Sequence, residues 1–256
     1  MGRIVAIANQ KGGVGKTTTA INLAAGLAAL DRQVLLVDLD AQANATSGLG
    51  FPREKDGPDA YDVLMSETAD GAVRPTAFPN LSLLPSGRDL VGAEIELVDR
   101  PGREARLRIA LEPIRDRFEF IFIDCPPSLS LLTVNALTAA DGVLVPIQTE
   151  YFALEGLTEL LRTVERVRTT FNPLLSVDGI VLTMYDDRTN LARQVTEDIR
   201  SHFGEKVFTT VIPRNVRLGE APSFGKPVLA YDIKSRGAEA YLALAREFAR
   251  RQGPAR

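Results

Sequence analysis

Asn9-Gln10-Lys11-Gly12-Gly13-Val14-Gly15-Lys16-Thr17-Thr18 lies between an apolar run, Ile4 to Ala8, and an apolar helical pattern from Thr19 to Leu30. A strand, a glycine-rich turn and a helix start, in that order, make a phosphate-binding device. Gly12, Gly13 and Gly15 let the backbone curl so that several N–H groups point inward, and the following helix brings its positive dipole end to the same place. Lys16 supplies a point charge for β- and γ-phosphates, while the Thr17 hydroxyl can take one coordination site of an octahedral Mg²⁺. The stretch predicts a nucleotide bound with Mg²⁺. The competing reading is a turn that merely joins strand to helix, and motif and context together argue against it.

Outward from this turn the same alternation continues. Val34 to Val37, Phe120 to Ile123, Val143 to Val145 and Ile180 to Leu182 are short runs of branched or aromatic residues, as in parallel strands covered on both faces. Leu81 to Leu84 and Val207 to Ile212 are further strand candidates. Helical patterns separate the runs: Thr17 to Leu30, roughly Leu90 to Arg117 with a break at Pro101-Gly102, Leu131 to Ala140, Ala153 to Phe171, Leu191 to Phe203 and Ser235 to about Arg250. The expectation is an α/β fold: a doubly wound, mostly parallel sheet with helices on both faces, a P-loop NTPase in one domain over residues 1–256. Ligands in such sheets sit beyond the carboxyl ends of the strands.

The residues just after the apolar runs therefore carry the chemistry. Asp38 and Asp40 leave the second strand on the same side. One can orient an attacking water and the other can steer Mg²⁺ or its waters; the bland alternative is a pair of acidic residues ending a strand. Phe120-Ile121-Phe122-Ile123-Asp124 is an apolar strand ending in an aspartate, the Walker B arrangement, and Asp124 can hold a Mg²⁺-bound water. Cys125 reads as a small buried residue, and Ser128 to Ser130 as the cap of the next helix. Near Pro213-Arg214-Asn215, a proline gives a rigid apolar face and an asparagine amide can donate to and accept from a purine edge. No Asn-Lys-x-Asp guanine signature occurs, so adenine is the expected base.

Composition narrows the class. With 256 residues, 45% apolar and 25% charged, the chain can bury a core without staples. One cysteine excludes a disulfide framework, and one histidine, His202, leaves no histidine cluster for zinc or a triad. No stretch approaches 18 apolar residues and no signal peptide pattern opens the chain, so a cytosolic protein is expected. The net charge is −3, unevenly spread: Thr183 to Arg256 holds 13 Lys/Arg against 9 Asp/Glu, the rest 17 against 24. A solvated mixed-charge surface would give similar counts. The Pro-, Gly- and Asp-rich stretch from Gly48 to Arg88 reads as a surface excursion without an assigned function.

Gln10 stands where the general Gly-x-x-x-x-Gly-Lys-[Ser/Thr] pattern has its first glycine. The version present, Lys-Gly-Gly-Val-Gly-Lys-Thr-Thr, resembles the deviant Walker A motif of the ParA/MinD ATPase family. The resemblance implies ATP and Mg²⁺ as ligands, with Lys11 reaching the nucleotide of a second subunit in an ATP-bound homodimer. The segment from Asp38 to Thr46 resembles the family's switch I, Asp40 matching the water-positioning carboxylate; Ala41 and Ala43 replace its proline and glycine. Asp124 falls in the counterpart of switch II. The stretch Gln148 to Gly156 matches a region near the dimer interface and makes Glu150 a candidate for contact with the partner's nucleotide. Pro213 and Asn215 would line the adenine pocket.

Residues alone make Arg188 and Arg217 solvated arginines. Resemblance to the Soj branch makes them the groups that hold double-stranded DNA without regard to sequence, through phosphates. It further implies a ParB-type partner that stimulates hydrolysis, slow turnover without it, and a nucleoid-associated cytoplasmic location. The main competing function is a MinD-like, membrane-associated positioner of the division septum. That role needs a C-terminal amphipathic helix with bulky apolar and basic faces, whereas Leu242 to Arg256 reads as a core-packing helix with a frayed end, so no membrane partner is expected.

Overall fold

In the computed structural model, which describes residues 1–52, 54, 56–150 and 152–253, the strands are β1 (Arg3–Ile7), β2 (Val34–Asp38), β3 (Arg74–Pro75), β4 (Leu81–Leu84), β5 (Phe120–Asp124), β6 (Gly142–Gln148) and β7 (Ser176–Thr183). The helices are α1 (Lys16–Ala28), α2 (Asn44–Gly48), α3 (Ala60–Ser66), α4 (Leu90–Glu96), α5 (Arg106–Leu111), α6 (Leu131–Ala139), α7 (Ala153–Thr170), α8 (Asn190–Phe203), α9 (Val216–Glu220), α10 (Val228–Tyr231) and α11 (Arg236–Gln252). The strands form one seven-stranded sheet in the order β3-β4-β2-β5-β1-β6-β7. Each pairing is parallel except β3 with β4. A doubly wound, mostly parallel sheet is therefore what the branched runs build.

Both faces of the sheet are buried, which explains why the runs show so little alternation. On β1, Ile4 and Ala6 join one apolar layer with Leu35, Ile121 and Val143. Val5 and Ile7 join the other, with Leu36, Phe122 and Leu144. The second layer is closed by α11, whose Tyr241, Leu244, Ala245 and Phe248 are buried against it. Gly26 of α1 permits the approach: a Cβ there would lie 2.8 Å from Cβ of Ala245. The C-terminal helix is thus a core element, as expected from its small residues; Pro254 to Arg256 lie outside the described residues. Among the described residues no helix is long and apolar enough to cross a membrane.

The pattern from Leu90 to Arg117 breaks around Pro101-Gly102 as expected, into α4, α5 and a 3₁₀ turn at Glu112–Arg117. Val207 to Ile212 is a correction: it is not a strand. It meets β7 at isolated points, Phe208 N–H donating to Ile180 O at 2.8 Å and Ile212 N–H to Leu182 O at 2.8 Å. Between them the N–H groups of Thr209 and Thr210 turn to the two carboxylate oxygens of Glu247 on α11, each at 2.8 Å. A side chain from a helix has taken the bonds a ladder would need.

Strand order sets up the site. β1 lies between β5 and β6, Ile7 is paired with Asp124, and Asp124 with Asp38. The turn after β1 and the acidic ends of β2 and β5 therefore share one edge of the sheet.

Candidate nucleotide site and basic face

The turn after β1 takes the shape its glycines allow. Gly13 and Gly15 have φ of 77° and 85°, where other residues are strained, and Gly15 immediately precedes α1. Side chains pin the turn from outside. The Asn9 amide donates to Pro146 O at 2.8 Å and its Oδ1 accepts Lys11 N–H at 3.0 Å, while the Thr183 hydroxyl donates to Val14 O at 2.8 Å. The buried Lys16 ammonium folds back to donate to Lys11 O at 3.0 Å. Burial pushes its pKa down, and Asp124 works against that.

Asp124 is fully buried, and among the described residues neither carboxylate oxygen meets a donor in full hydrogen-bond geometry, the Thr17 hydroxyl standing close enough to favour the charged form without closing such a bond. Burial and the neighbouring Asp38 push its pKa well above the carboxylate range, opposed by the Thr17 hydroxyl and Lys16. A buried carboxylate left with open lone pairs, beside a hydroxyl, is the donor set that a hard divalent cation satisfies. The residues present thus fit Mg²⁺, with Thr17 and Asp124 as the groups that would hold it. Asp38 is also buried and is pushed up to about 6 by burial, with bonds from Thr46 opposing the shift. Asp40 is half-buried, and its Oδ1 accepts Gln42 N–H at 3.0 Å. Cys125 is buried, burial raises its pKa, and its Sγ lies 3.7 Å from Ile123 O. It is a packed thiol. Ser130 stands at the N-cap of α6, but its hydroxyl makes no cap bond.

Lys11, Lys16, Thr17, Asp40 and Asp124 thus surround one turn. Glu150 joins them differently from expectation: its Oε2 is 2.7 Å from the Lys11 ammonium of the same chain, an exposed pair. Tyr151 lies outside the described residues. Asn215 uses its side-chain oxygen to cap α9, accepting Arg217 N–H at 3.0 Å. Pro213 and Arg188 border an open cleft of about 700 Å³ with Tyr185 and Arg214. Both arginines are engaged. Arg188 makes two bonds to Asp186, at 2.8 and 2.6 Å, and Arg217 reaches Glu220 at 2.7 Å and Asp232 at 3.3 Å. His202 is exposed on α8. Sequence reasoning missed Thr46, Thr183 and Glu247 as bonding residues; a hydroxyl eight residues after a strand-end aspartate was the available signal for the first.

Residues 2–177 match a family model described as an AAA domain. The chain is 58% identical over 254 residues to the chromosome partitioning protein ParA of Caulobacter vibrioides, covering 98% of this chain and 95% of that protein. To the sporulation initiation inhibitor protein Soj of Bacillus subtilis it is 55% identical over 251 residues, covering 97% and 99%. Among solved structures it is similar to cobyrinic acid a,c-diamide synthase from Mycobacterium smegmatis with bound ADP and magnesium. The TM-score is 0.87 at 39% identity, covering 100% of this chain and 97% of that one.

Proposed function

The chain belongs to the ParA/Soj family of chromosome-partitioning ATPases, and on that premise we propose that ATP in the turn after β1 decides whether two copies associate and hold DNA. The observation that carries this reading is the buried Asp124, whose oxygens meet no donor in full hydrogen-bond geometry among the described residues, with the Thr17 hydroxyl and Lys16 beside it. Backbone N–H groups from Lys11 to Thr18 bind and orient the phosphates, and Lys16 leaves its loop carbonyl to neutralise them. Thr17 and Asp124 would hold Mg²⁺, which would supply positive charge to the phosphates. Asp40 aligns the attacking water. Pro213 and Asn215 border the adenine.

Lys11 is the group lent to a second copy, which requires exchanging Glu150 for the partner's nucleotide. Arg188 and Arg217 then bind the phosphates of double-stranded DNA, and a ParB-type protein stimulates hydrolysis and release. Such a protein works in the cytoplasm on the nucleoid. A membrane role would need an unpartnered apolar helix face, and α11 spends its apolar face on the core.

Retention on duplex DNA with ATP, ADP or no nucleotide, over a salt series and alongside light scattering, tests the reading. Dimer mass and retention should appear with ATP alone, and log affinity should fall linearly with log salt. Association and DNA binding indifferent to nucleotide would overturn it.

A further inference from the structure

The loop that carries Asp40 is held by a hydrogen-bond relay to which the roles above give no part. Thr46, on α2, has no solvent exposure. Its N–H and its hydroxyl both donate to Oδ2 of Asp38, at 2.8 and 2.7 Å. The same hydroxyl oxygen accepts the N–H of Ser86 at 2.9 Å. Since an amide N–H can only donate, the one hydroxyl proton is committed to Asp38 and the direction of the relay is fixed. The other oxygen of Asp38 accepts the backbone N–H of Asp40 at 3.2 Å. Ser86, Thr46, Asp38 and Asp40 thus form one chain of bonds, from the turn after β4 to the water-aligning residue.

We infer that Thr46 is a positioning residue for hydrolysis: it fixes the Asp38 carboxylate in one orientation and, through it, the backbone of Asp40. The inference rests on the ATPase reading and on the role of Asp40 within it. The torsion that rotates a carboxylate is broad, so one oxygen does not hold its direction unless donors pin it. Two donors from Thr46 do so here, and the Ser86 N–H holds the hydroxyl in place. With the hydroxyl gone, a single N–H donor is left on Oδ2, Asp38 can turn its other oxygen from Asp40, and Asp40 then keeps its local bond to Gln42. A water-aligning group displaced by an ångström loses rate steeply, whereas the turn that binds phosphates is pinned separately by Asn9 and Thr183. The relay should therefore act on kcat and leave nucleotide affinity alone.

Initial rates over an ATP series, with duplex DNA present, nucleotide affinity and melting temperature test this on Thr46→Val, Thr46→Ser and Thr46→Cys. Thr46→Val, which keeps the shape and the backbone N–H bond but removes the hydroxyl donor, should lower kcat about three- to tenfold with KM and ATP affinity within about twofold. Thr46→Ser should restore kcat to within about twofold of the parent. An unchanged kcat in Thr46→Val overturns the inference, as does a joint loss of kcat and affinity that serine fails to rescue. If the valine variant does not fold, Thr46→Cys, a weak donor with the unbranched shape of serine, carries the test: kcat below that of Thr46→Ser supports the relay and kcat equal to it overturns it. A parent without any ATP turnover would sink the ATPase reading itself, and the inference with it.

Discussion

At the carboxyl ends of β1, β2 and β5, Lys16, Asp38 and Asp124 are buried, and the turn after β1 adopts backbone conformations few residues tolerate. Arg188 and Arg217, the groups proposed to meet DNA, lie on the surface, each held by carboxylates within the same chain. The first region is preorganised by desolvation and glycine geometry, so single changes there should be costly. The second is a set of exposed ion pairs that solvent, salt or a phosphate can replace cheaply. A switch needs both: a rigid end that senses ligand and a soft end that can exchange partners.

Lys16 is where the contrast breaks most visibly. Lys16→Ala removes the buried ammonium that balances Asp124 and faces the phosphates, and ATP affinity by calorimetry should fall at least a hundredfold, about 3 kcal/mol. Affinity retained within a few-fold would mean that the turn does not bind phosphate. The next largest effect lies at the joint between the two regions, where the end of α2 meets the segment after α9. Gly225 has φ of +63°, and a Cβ there would lie 2.6 Å from Cα of Gly50. Gly225→Ala should therefore cost about 2–4 kcal/mol, a melting drop of about 5–12 °C. Gly156, inside α7 with nothing within 4 Å of an added Cβ, is the control: alanine there should be neutral or stabilising by up to about 1 kcal/mol.

A smaller effect separates buried carboxylates from exposed ones by pH. In nucleotide-free, Mg²⁺-free protein, folded Asp38 keeps its proton up to about pH 6 because burial raises its pKa, while the unfolded chain releases it near the ordinary carboxylate value. The folded state then binds the extra proton, so this contribution to stability is present below about pH 4 and is lost as pH rises to about 6, with a slope of at most about 1.4 kcal/mol per pH unit. Denaturant midpoints should show that fall in the parent and a flatter profile in Asp38→Asn. Identical profiles would show that Asp38 does not titrate in this window.

Much of the rigid end is legible in the sequence, because glycine spacing, a lysine-threonine pair and aspartates after apolar runs are local signals with a local cause. What escaped depends on partners far along the chain. Val207 to Ile212 has the composition of a strand, yet two of its N–H groups belong to Glu247, 37 and 38 residues away. Thr46 looks ordinary until the fold brings Ser86 to its oxygen. α2, α9 and α10 have four or five residues each, too few to show helical periodicity. The arginines were visible as charges, but their carboxylate partners were not visible as restraints.

Those restraints give the smallest and most discriminating prediction. Arg188 Nε and Nη2 grip both oxygens of Asp186, and these bonds hold that carboxylate down to about 2. The pair therefore stays fully charged at neutral pH, and on the proposed role of Arg188 a DNA phosphate must displace Asp186 to reach the guanidinium. Asp186→Asn keeps the loop's shape and frees the fork. Because the pair is exposed, melting should move by less than about 2 °C. ATP-dependent DNA affinity should rise about two- to fivefold, with a somewhat steeper dependence on salt, since one more cation is free to displace counterions. Retention curves on duplex DNA with ATP, compared between parent and variant at several salt concentrations, measure this. An unchanged curve would mean either that Arg188 does not touch phosphate or that the paired copy has already separated it from Asp186; Arg188→Ala decides between them, because only in the second case does it weaken retention.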